Sequence, residues 1–321
     1  MQTAVLVGAI ASIGWSLVQE WDVARLFMVP AGGAESVSLA LLLAGGLLPY
    51  ALALRILLRA GGVDASWASA MLLMFVPMLG KYLPGKVWSL GILIALARRT
   101  RLDASAAVRA ALWFSGLWIV AGLLVSLAAL AGGTAALSCA GAASAIVYAT
   151  LSLAGFRTCP LISQLVRAFA VLVVTWLILG IWFGVFAETG LGADIGSWAR
   201  LGGWFVLAQV LGFISVIAPA GLGVREGLLL VLLSGLGSQA EVAALVTAAR
   251  IWQTLAECAL ACSAFLTFRL FEGFRAPEDR TRQAIDSAAA LWVDIDVPRA
   301  GSGHPPSDGC RGASNRAGRA R

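Results

Sequence analysis

Charged residues are scarce in this sequence, and histidine is almost absent. Only 12% of the 321 residues are charged and 60% are hydrophobic, against about 25% and 45–50% in soluble domains. This balance excludes an ordinary soluble enzyme and predicts a chain embedded in a lipid bilayer. The single histidine, His304, lies in a polar C-terminal stretch. No histidine-based catalytic or metal centre can therefore form in the hydrophobic part.

The sequence also lacks the cysteine patterns of disulfide frameworks and zinc sites. Cys258 and Cys262 lie four residues apart without a companion histidine, which makes a poor metal site, and we interpret them as packing residues. We find no nucleophile constellation in the hydrophobic part. We therefore expect no metal and no cofactor, and an enzymatic role is less favoured than a transport role.

The net charge of +6 does not indicate nucleic-acid binding. The hydrophobic part carries no basic stripe interleaved with exposed aromatic residues, and a basic excess is expected of cytoplasmic membrane loops. We interpret the positive charge as a determinant of membrane topology and expect no nucleic-acid partner.

Long apolar stretches predict membrane-spanning helices, since about 20 residues cross a bilayer of ~30 Å. Residues 1-16 contain no Lys or Arg and are interpreted as part of the first span, not as a secretory signal. The predicted spans are 2-18, 36-58, 106-130, 136-155, 168-187 and 241-268. Glycines within spans, such as Gly45, Gly46, Gly116 and Gly122, are interpreted as helix-packing positions.

Two further hydrophobic segments, 67-97 and 203-236, are interrupted by proline and glycine. The breaks are Lys-Tyr-Leu-Pro-Gly-Lys at 81-86 and Ala-Pro-Ala-Gly-Leu-Gly at 218-223. Proline removes a helix hydrogen bond and glycine permits a turn. Each segment is predicted to be a broken helix or a re-entrant hairpin, and the fold class is an all-α polytopic membrane protein.

Basic residues predict the orientation. With a cytoplasmic N-terminus, the outer loops hold only Arg25 and Arg200. This bias follows the positive-inside rule and predicts both termini in the cytoplasm of a bacterial inner membrane. The inner loops then hold Arg55, Arg59, Arg98, Arg99, Arg101, Arg109, Arg157 and Arg167.

The order span, span, broken segment, span occurs twice, with Pro84 and Pro219 separated by 135 residues (219 − 84). The second copy starts on the opposite side of the membrane. Inverted-topology repeats have this arrangement, with a substrate site where the interrupted segments meet. We predict an integral membrane domain at 1-271, as repeats 1-132 and 133-271, and a disordered cytoplasmic tail at 272-321.

The basic residues at the first break are the first candidate ligands. Lys81 and Lys86 would lie in or near hydrocarbon, where an unpaired charge costs at least ~2.5–3.5 kcal/mol. Such a position favours a partner or an anionic ligand, and the helix N-terminus after the break also suits phosphate. The alternative is that both lysines extend to the membrane interface.

Four further charged residues are candidates. At the second break, Arg225 can hold two phosphate oxygens at once, while Glu226 is either an ion-pair partner or a proton carrier. On the last span, Arg250, Gln253 and Glu257 share one helix face that should avoid lipid. The glutamate there is predicted to neutralise Arg225 or to serve a proton-coupled cycle.

At the two breaks the sequence resembles the lysylphosphatidylglycerol synthase transmembrane region family. The likeness rests on residues 81-88 and 219-227, followed by Arg250 and Glu257, and covers roughly residues 1 to 270. This family includes the flippase part of the multiple peptide resistance factor. The soluble aminoacyl-transferase domain of that factor has no counterpart in the polar tail. The resemblance implies transfer of phospholipids or polyprenyl-phosphate-linked sugars between leaflets, with Lys81, Lys86, Arg225 and Glu226 as the positions carried over.

Three functions therefore compete. The first is a lipid translocase whose partner is a membrane lipid or lipid-linked phosphate. The second is a membrane-embedded transferase with Glu226 or Glu257 as its base. The third is a non-catalytic partner of a separate glycosyltransferase or lipid synthase. The sequence leaves the lipid, the energy source and the oligomeric state open.

Overall fold

The computed structural model describes residues 33–82, 87–153, 160–191, 198–215 and 223–271. Helices cover 91% of these residues, and no strand occurs among them. The all-helical prediction is confirmed. The predicted span 2-18 and the predicted tail 272-321 lie outside the described residues. The elements are α1 (Gly33–Leu47), α2 (Pro49–Ala60), α3 (Trp67–Met78), a 3₁₀ helix (Leu79–Tyr82), α4 (Val87–Arg99), α5 (Ala104–Leu153), α6 (Pro160–Leu191), α7 (Trp198–Ile214), α8 (Val224–Leu232) and α9 (Gln239–Phe271).

Four helical stretches are long and apolar enough to cross a membrane. The predicted spans 36-58, 168-187 and 241-268 each fall within one of them, 106-130 falls on α5, and 136-155 falls on α5 as far as Leu153. The protein is therefore membrane-embedded, while the count of six spans stays a prediction. The stretches are Glu35–Ala60, Ala104–Thr150, Leu161–Leu191 and Gln239–Phe271.

Helix α5 is too long for a single straight crossing. At 1.5 Å per residue, its 50 residues would extend about 75 Å, against a hydrocarbon core of about 30 Å. Gly133 interrupts it with a non-helical backbone (φ 57°, ψ −139°), a conformation that only glycine adopts readily. The break lies between the two spans predicted on this helix.

Local sequence explains where several helices begin. Ser66 caps α3 by accepting a hydrogen bond from the Ser69 backbone N–H at 3.0 Å. Asp103 precedes α5 and accepts from the Ser105 hydroxyl at 2.6 Å and from the Ser105 and Ala106 backbone N–H groups at 3.0 and 3.2 Å. The hydroxyl bond, together with these backbone bonds, lowers the pKa of Asp103 below its usual value. Such caps satisfy N–H groups that have no partner within the helix.

The outward surface of the long helices is apolar. Large aliphatic side chains that are more than half exposed include Leu112, Leu127, Ile146 and Leu266. A soluble domain rarely exposes such a continuous apolar surface, whereas lipid tails solvate it without penalty. The exposed pattern thus agrees with the helix lengths in indicating a bilayer environment.

Helix α6 forms the centre of the packing and contacts α1, α2, α5, α7 and α9. Its Trp176 and Trp182 are almost completely buried. Trp176 Nε1 donates to the Trp118 carbonyl at 2.9 Å, and Trp118 Nε1 donates to the Tyr50 hydroxyl at 2.9 Å. Indole N–H groups placed in a membrane interior need such acceptors.

The two interrupted segments form two pairs of packed helices. We call α3, the 3₁₀ helix and α4 (residues 67–99) the first hairpin, and α7 with α8 (residues 198–232) the second hairpin. The arms of each pair contact each other, α3 packs on α9, and α7 packs on α5. Each hairpin therefore lies against a long helix from the other half of the chain.

Candidate functional site

One face of α9 carries four neighbouring polar side chains. Arg250, Gln253 and Glu257 follow at spacings of three and four, and Thr254 lies beside them. Residues at these spacings project from the same side of a helix. Each of the four side chains bonds to another polar group, and the predicted polar face is therefore present.

Glu257 is the buried centre of this face, with a side chain that is 1% exposed. Its Oε1 accepts from Lys81 Nζ at 2.6 Å and from Gln253 Nε2 at 3.2 Å, and its Oε2 accepts from the Tyr82 hydroxyl at 2.8 Å. Thr254 Oγ1 lies 3.1 Å from the same hydroxyl. Lys81 and Tyr82 come from the 3₁₀ helix, and these bonds therefore tie the first hairpin to α9.

The two side chains of the Lys81–Glu257 ion pair differ in exposure, since the lysine is 30% exposed and the glutamate is buried. Its ammonium also lies 5.2 Å from the centre of the Tyr82 ring. Removing one member of a buried pair typically costs about 3–5 kcal/mol because the other charge is left uncompensated. The exposure of Lys81 makes its loss the less costly of the two.

A second ion pair joins the second hairpin to α9. Glu226, in the first turn of α8, accepts a hydrogen bond from Arg250 through Oε1 and one from the Gly223 backbone N–H through Oε2 at 2.8 Å. Gly223 has φ 85°, a conformation that favours glycine. The ion-pair partners of the two carboxylates thus differ from the sequence prediction, since Glu226 binds Arg250 and Glu257 binds Lys81.

Arg225 differs from the other two basic residues of the site. The residue is 8% exposed, and its guanidinium lies over the Phe205 ring at 5.7 Å from the ring centre. Its Nε is buried, and no acceptor for it exists among the described residues. The predicted neutralisation of Arg225 by Glu257 is not made. Arg225 is therefore a buried cation with an aromatic neighbour and no carboxylate bound to it within the described ranges.

A neutral bond completes the network between the second hairpin and α9. Gln209 Nε2 on α7 donates to Gln253 Oε1 at 2.8 Å. Because Gln253 also donates to Glu257, the side chains form a continuous series from α7 through α9 to the 3₁₀ helix. Polar groups of both hairpins are thereby connected through one helix face.

Five of the six predicted site residues lie in the described part of the chain. The structure places Lys81 with Glu257 and Glu226 with Arg250, and leaves Arg225 at the packed surface between α7 and α8. Lys86, Pro84, Gly85 and Pro219 lie outside the described residues. The prediction that the two proline-containing turns approach each other therefore stays a prediction.

Sequence reasoning passed over four residues of this network: Tyr82, Gln209, Thr254 and Phe205. Tyr82 is one of only three tyrosines in the chain, and Gln209 is the only amide side chain in the apolar helix α7. A lone polar group in an apolar span needs a partner in the protein interior, which was a usable signal for Gln209. Nothing in the sequence distinguishes Phe205 from other core aromatic residues.

No protein family, curated protein or solved structure compared with this chain matches it. In residues 33–82, 87–153, 160–191, 198–215 and 223–271, no group of three or more histidine, cysteine or acidic side chains is placed to hold a metal ion. The functional argument thus rests on the geometry of the charged network.

Proposed function

We propose that the protein is a membrane lipid translocase that binds the phosphate of a phospholipid or of a polyprenyl-phosphate-linked sugar. The observation that carries the proposal is Arg225, a buried guanidinium at the start of α8 to which no carboxylate of the described residues is bound. A buried unpaired cation is unfavourable by itself and favourable with an anionic ligand. Arginine also presents a planar fork that can bind two phosphate oxygens.

The membrane setting narrows the class of anion. A ligand that reaches a cation among membrane helices has to pass apolar surfaces, and a lipid carries both a phosphate and an apolar tail. The polar series from Gln209 to Lys81 offers a headgroup further hydrogen-bonding groups, and its Glu257 lies within electrostatic range of Arg225. These features favour transfer of a lipid headgroup through the protein interior over binding of a soluble anion.

The proposed topology comprises six spans and two re-entrant hairpins arranged as inverted repeats, in a bacterial inner membrane with both termini cytoplasmic. Reciprocal packing supports it, because the first hairpin lies on α9 and the second on α5. The interruption at Gly133 stands at the proposed boundary between repeats 1-132 and 133-271. Reporter fusions after Arg99 and Arg275 test the orientation, and activity of a periplasmic reporter at either site would contradict it.

Membership of the lysylphosphatidylglycerol synthase transmembrane region family is part of the same proposal. The alternative of a transferase is less favoured, because Glu226 and Glu257 each accept bonds from a basic side chain. A general base needs an oxygen within hydrogen-bond reach of the proton that it abstracts, and these carboxylates are already bonded to donors of the protein. A non-catalytic partner of a glycosyltransferase or lipid synthase would not need Arg225. The replacement of Arg225 described next therefore distinguishes this role from lipid transfer.

Replacement of Arg225 tests the translocase directly. Purified protein is reconstituted in vesicles with a fluorescent phospholipid, and the lipid that becomes accessible to an external quencher is followed over time. Loss of charge-assisted hydrogen bonds (about 1.5–3 kcal/mol) in Arg225→Ala should reduce transfer by about 10- to 100-fold. Arg225→Lys, which keeps the charge but not the fork, should have a smaller effect.

The matched control is Arg269→Ala, which removes an exposed arginine near the end of α9. It should leave transfer unchanged. Wild-type transfer with both a phospholipid and a polyprenyl-phosphate-linked sugar no faster than in protein-free vesicles, or equal transfer by Arg225→Ala and wild type, would contradict the proposal.

A further inference from the structure

The charges of the five ionisable side chains on the two hairpins and the polar face of α9 can be added. Lys81, Arg225 and Arg250 contribute three positive charges, and Glu226 and Glu257 contribute two negative charges. The net charge of this described set is therefore +1 (3 − 2). Lys81 and Arg250 are each bonded to a carboxylate, whereas no carboxylate of the described residues is bonded to Arg225.

The surroundings of Arg225 admit few other compensating groups. Phe205 covers the guanidinium, and the backbone of Gly212 on α7 approaches so closely that an added Cβ would lie 3.0 Å from Arg225 Cβ. The nearest acidic neighbour in sequence, Glu226, has both oxygens bonded to other donors. The site can therefore neutralise one negative charge of a ligand.

We infer that Glu226 and Glu257 determine the charge selectivity of the site, so that it accepts a lipid phosphodiester with one negative charge in preference to a phosphomonoester with two. The inference rests on the proposed function, in which Arg225 binds a lipid phosphate. A phosphodiester has no second proton to lose, whereas a phosphomonoester has a second pKa near 6 and is a dianion at pH 8. The two carboxylates reduce the net charge of the described set to +1, so the second charge of a dianion would lose its hydration without a counter-ion in the site.

Competition between two lipids at pH 8 tests this selectivity. Short-chain phosphatidylglycerol and short-chain phosphatidic acid are titrated into the purified full-length protein in a neutral detergent, and binding is followed by calorimetry. The wild type should prefer phosphatidylglycerol by roughly tenfold, because the second charge of phosphatidic acid has to leave water without a counter-ion in the site. Equal binding, or preference for phosphatidic acid, would overturn the inference. A further cation at the site, such as Lys86, would produce that result.

Removing one carboxylate charge should reverse the preference. Glu257→Gln raises the charge of the described set from +1 to +2 and should move the binding ratio toward phosphatidic acid by about tenfold. Glu226→Gln makes the same change of charge at a carboxylate that is 21% exposed, and it covers the case in which Glu257→Gln does not fold. Glu35→Gln, an exposed position in the first turn of α1, is the matched control and should keep the wild-type ratio.

A double variant separates charge from structure. Lys81→Met with Glu257→Gln removes one positive and one negative charge, so the net charge stays +1 and the lipid ratio should stay that of the wild type even if both affinities fall. An equal shift of the ratio in the single and double variants would overturn the inference, because the pair would then act through packing.

Two further results have distinct meanings. Failure of both lipids to bind would overturn the inference together with the proposed function, whereas a preference for the dianion would overturn the inference alone. Soluble glycerophosphoglycerol serves as a third ligand and should bind more weakly than the short-chain lipid of the same headgroup. Equal affinity would assign the site to a free phosphodiester and would contradict its assignment to lipids.

Discussion

The first and second hairpins pack against the opposite half of the protein in corresponding ways, but different chemistry holds each one. At the first hairpin, the contact with α9 is polar and centres on Glu257. Subtracting the repeat spacing of 135 from 257 gives 122, and Gly122 on α5 lies where the second hairpin packs, next to Val210. In the proposed repeats, equivalent positions thus carry a carboxylate in one half and no side chain in the other.

This difference indicates a division of tasks between the two hairpins. The bonds of Glu257 fix the first hairpin in place, and the lysine there is compensated. The second hairpin packs closely on α5 through glycine and is joined to α9 by the Arg250–Glu226 pair, while no carboxylate of the described residues binds its buried Arg225. Mutations in the first hairpin should therefore reduce stability first, and mutations of Arg225 should reduce function first.

The largest expected effect belongs to Glu257→Ala. The change leaves the Lys81 charge and the Tyr82 hydroxyl without their acceptor, and should lower the free energy of unfolding by about 3–5 kcal/mol. Chemical denaturation in mixed micelles, followed by tryptophan fluorescence, measures the loss. Glu35→Ala should change stability by less than about 0.5 kcal/mol. Similar stability of both variants would show that the buried network does not anchor the first hairpin.

Tyr82→Phe should have the next largest effect. It removes only the hydroxyl that donates to Glu257 Oε2, and hydrogen bonds to charged groups contribute about 1.5–3 kcal/mol. The same denaturation experiment applies. Tyr148→Phe, on the second part of α5, is the matched control, because that tyrosine is only partly buried. If both variants lost the same stability, the hydrogen bond from Tyr82 to Glu257 would make no measurable contribution to the free energy of unfolding.

Gly122→Ala probes the corresponding position in the first half of the chain, where the second hairpin packs on α5. An added Cβ would lie 2.5 Å from Val210 Cγ2 and 2.9 Å from Trp176 Nε1, so α5 and α7 have to separate. Overpacking of this kind costs typically 1–3 kcal/mol. Gly116→Ala on the same helix meets nothing within 4 Å and should be neutral or slightly stabilising. Reversed effects of the two variants would contradict the packing described for α5 and α7.

The smallest expected effect is that of Gln209→Met. The substitution keeps the shape of the side chain but removes the neutral hydrogen bond to Gln253 Oε1, a loss of about 0.5–1.5 kcal/mol. Transfer by this variant should fall less than transfer by Arg225→Ala. A loss of stability as large as that of Glu257→Ala would show that the two hairpins are not held differently after all.

The helical architecture was largely predictable from sequence, because long apolar stretches in a chain with few charges have few alternatives. The interruption between spans 106-130 and 136-155 is present at Gly133. Packing glycines were predictable only in part: Gly46 and Gly122 lie against neighbouring side chains, whereas an added Cβ at Gly45 or Gly116 meets nothing within 4 Å. Which face of a helix meets a neighbour depends on tertiary packing, which hydropathy does not encode.

The ion pairs were less predictable than the residues that form them. Helical spacing showed that Arg250 and Glu257 share a face, but spacing acts over one turn and carries no information on partners from distant segments. The bond from Lys81 to Glu257 joins positions 176 residues apart, and that from Arg250 to Glu226 joins positions 24 residues apart. Only the packing of both hairpins on α9 determines which acid each base receives.

The separation of Lys81 from Glu257 also has a consequence for biosynthesis. At about 5–20 residues per second, a ribosome needs roughly 9–35 s to add the 176 residues between them. Throughout that interval Lys81 has been made and its acid has not. The first hairpin therefore reaches its final bonded state only after α9 has been inserted. A nascent chain stalled before α9 should consequently expose Lys81 to water-soluble amine reagents, and release of the complete chain should protect it.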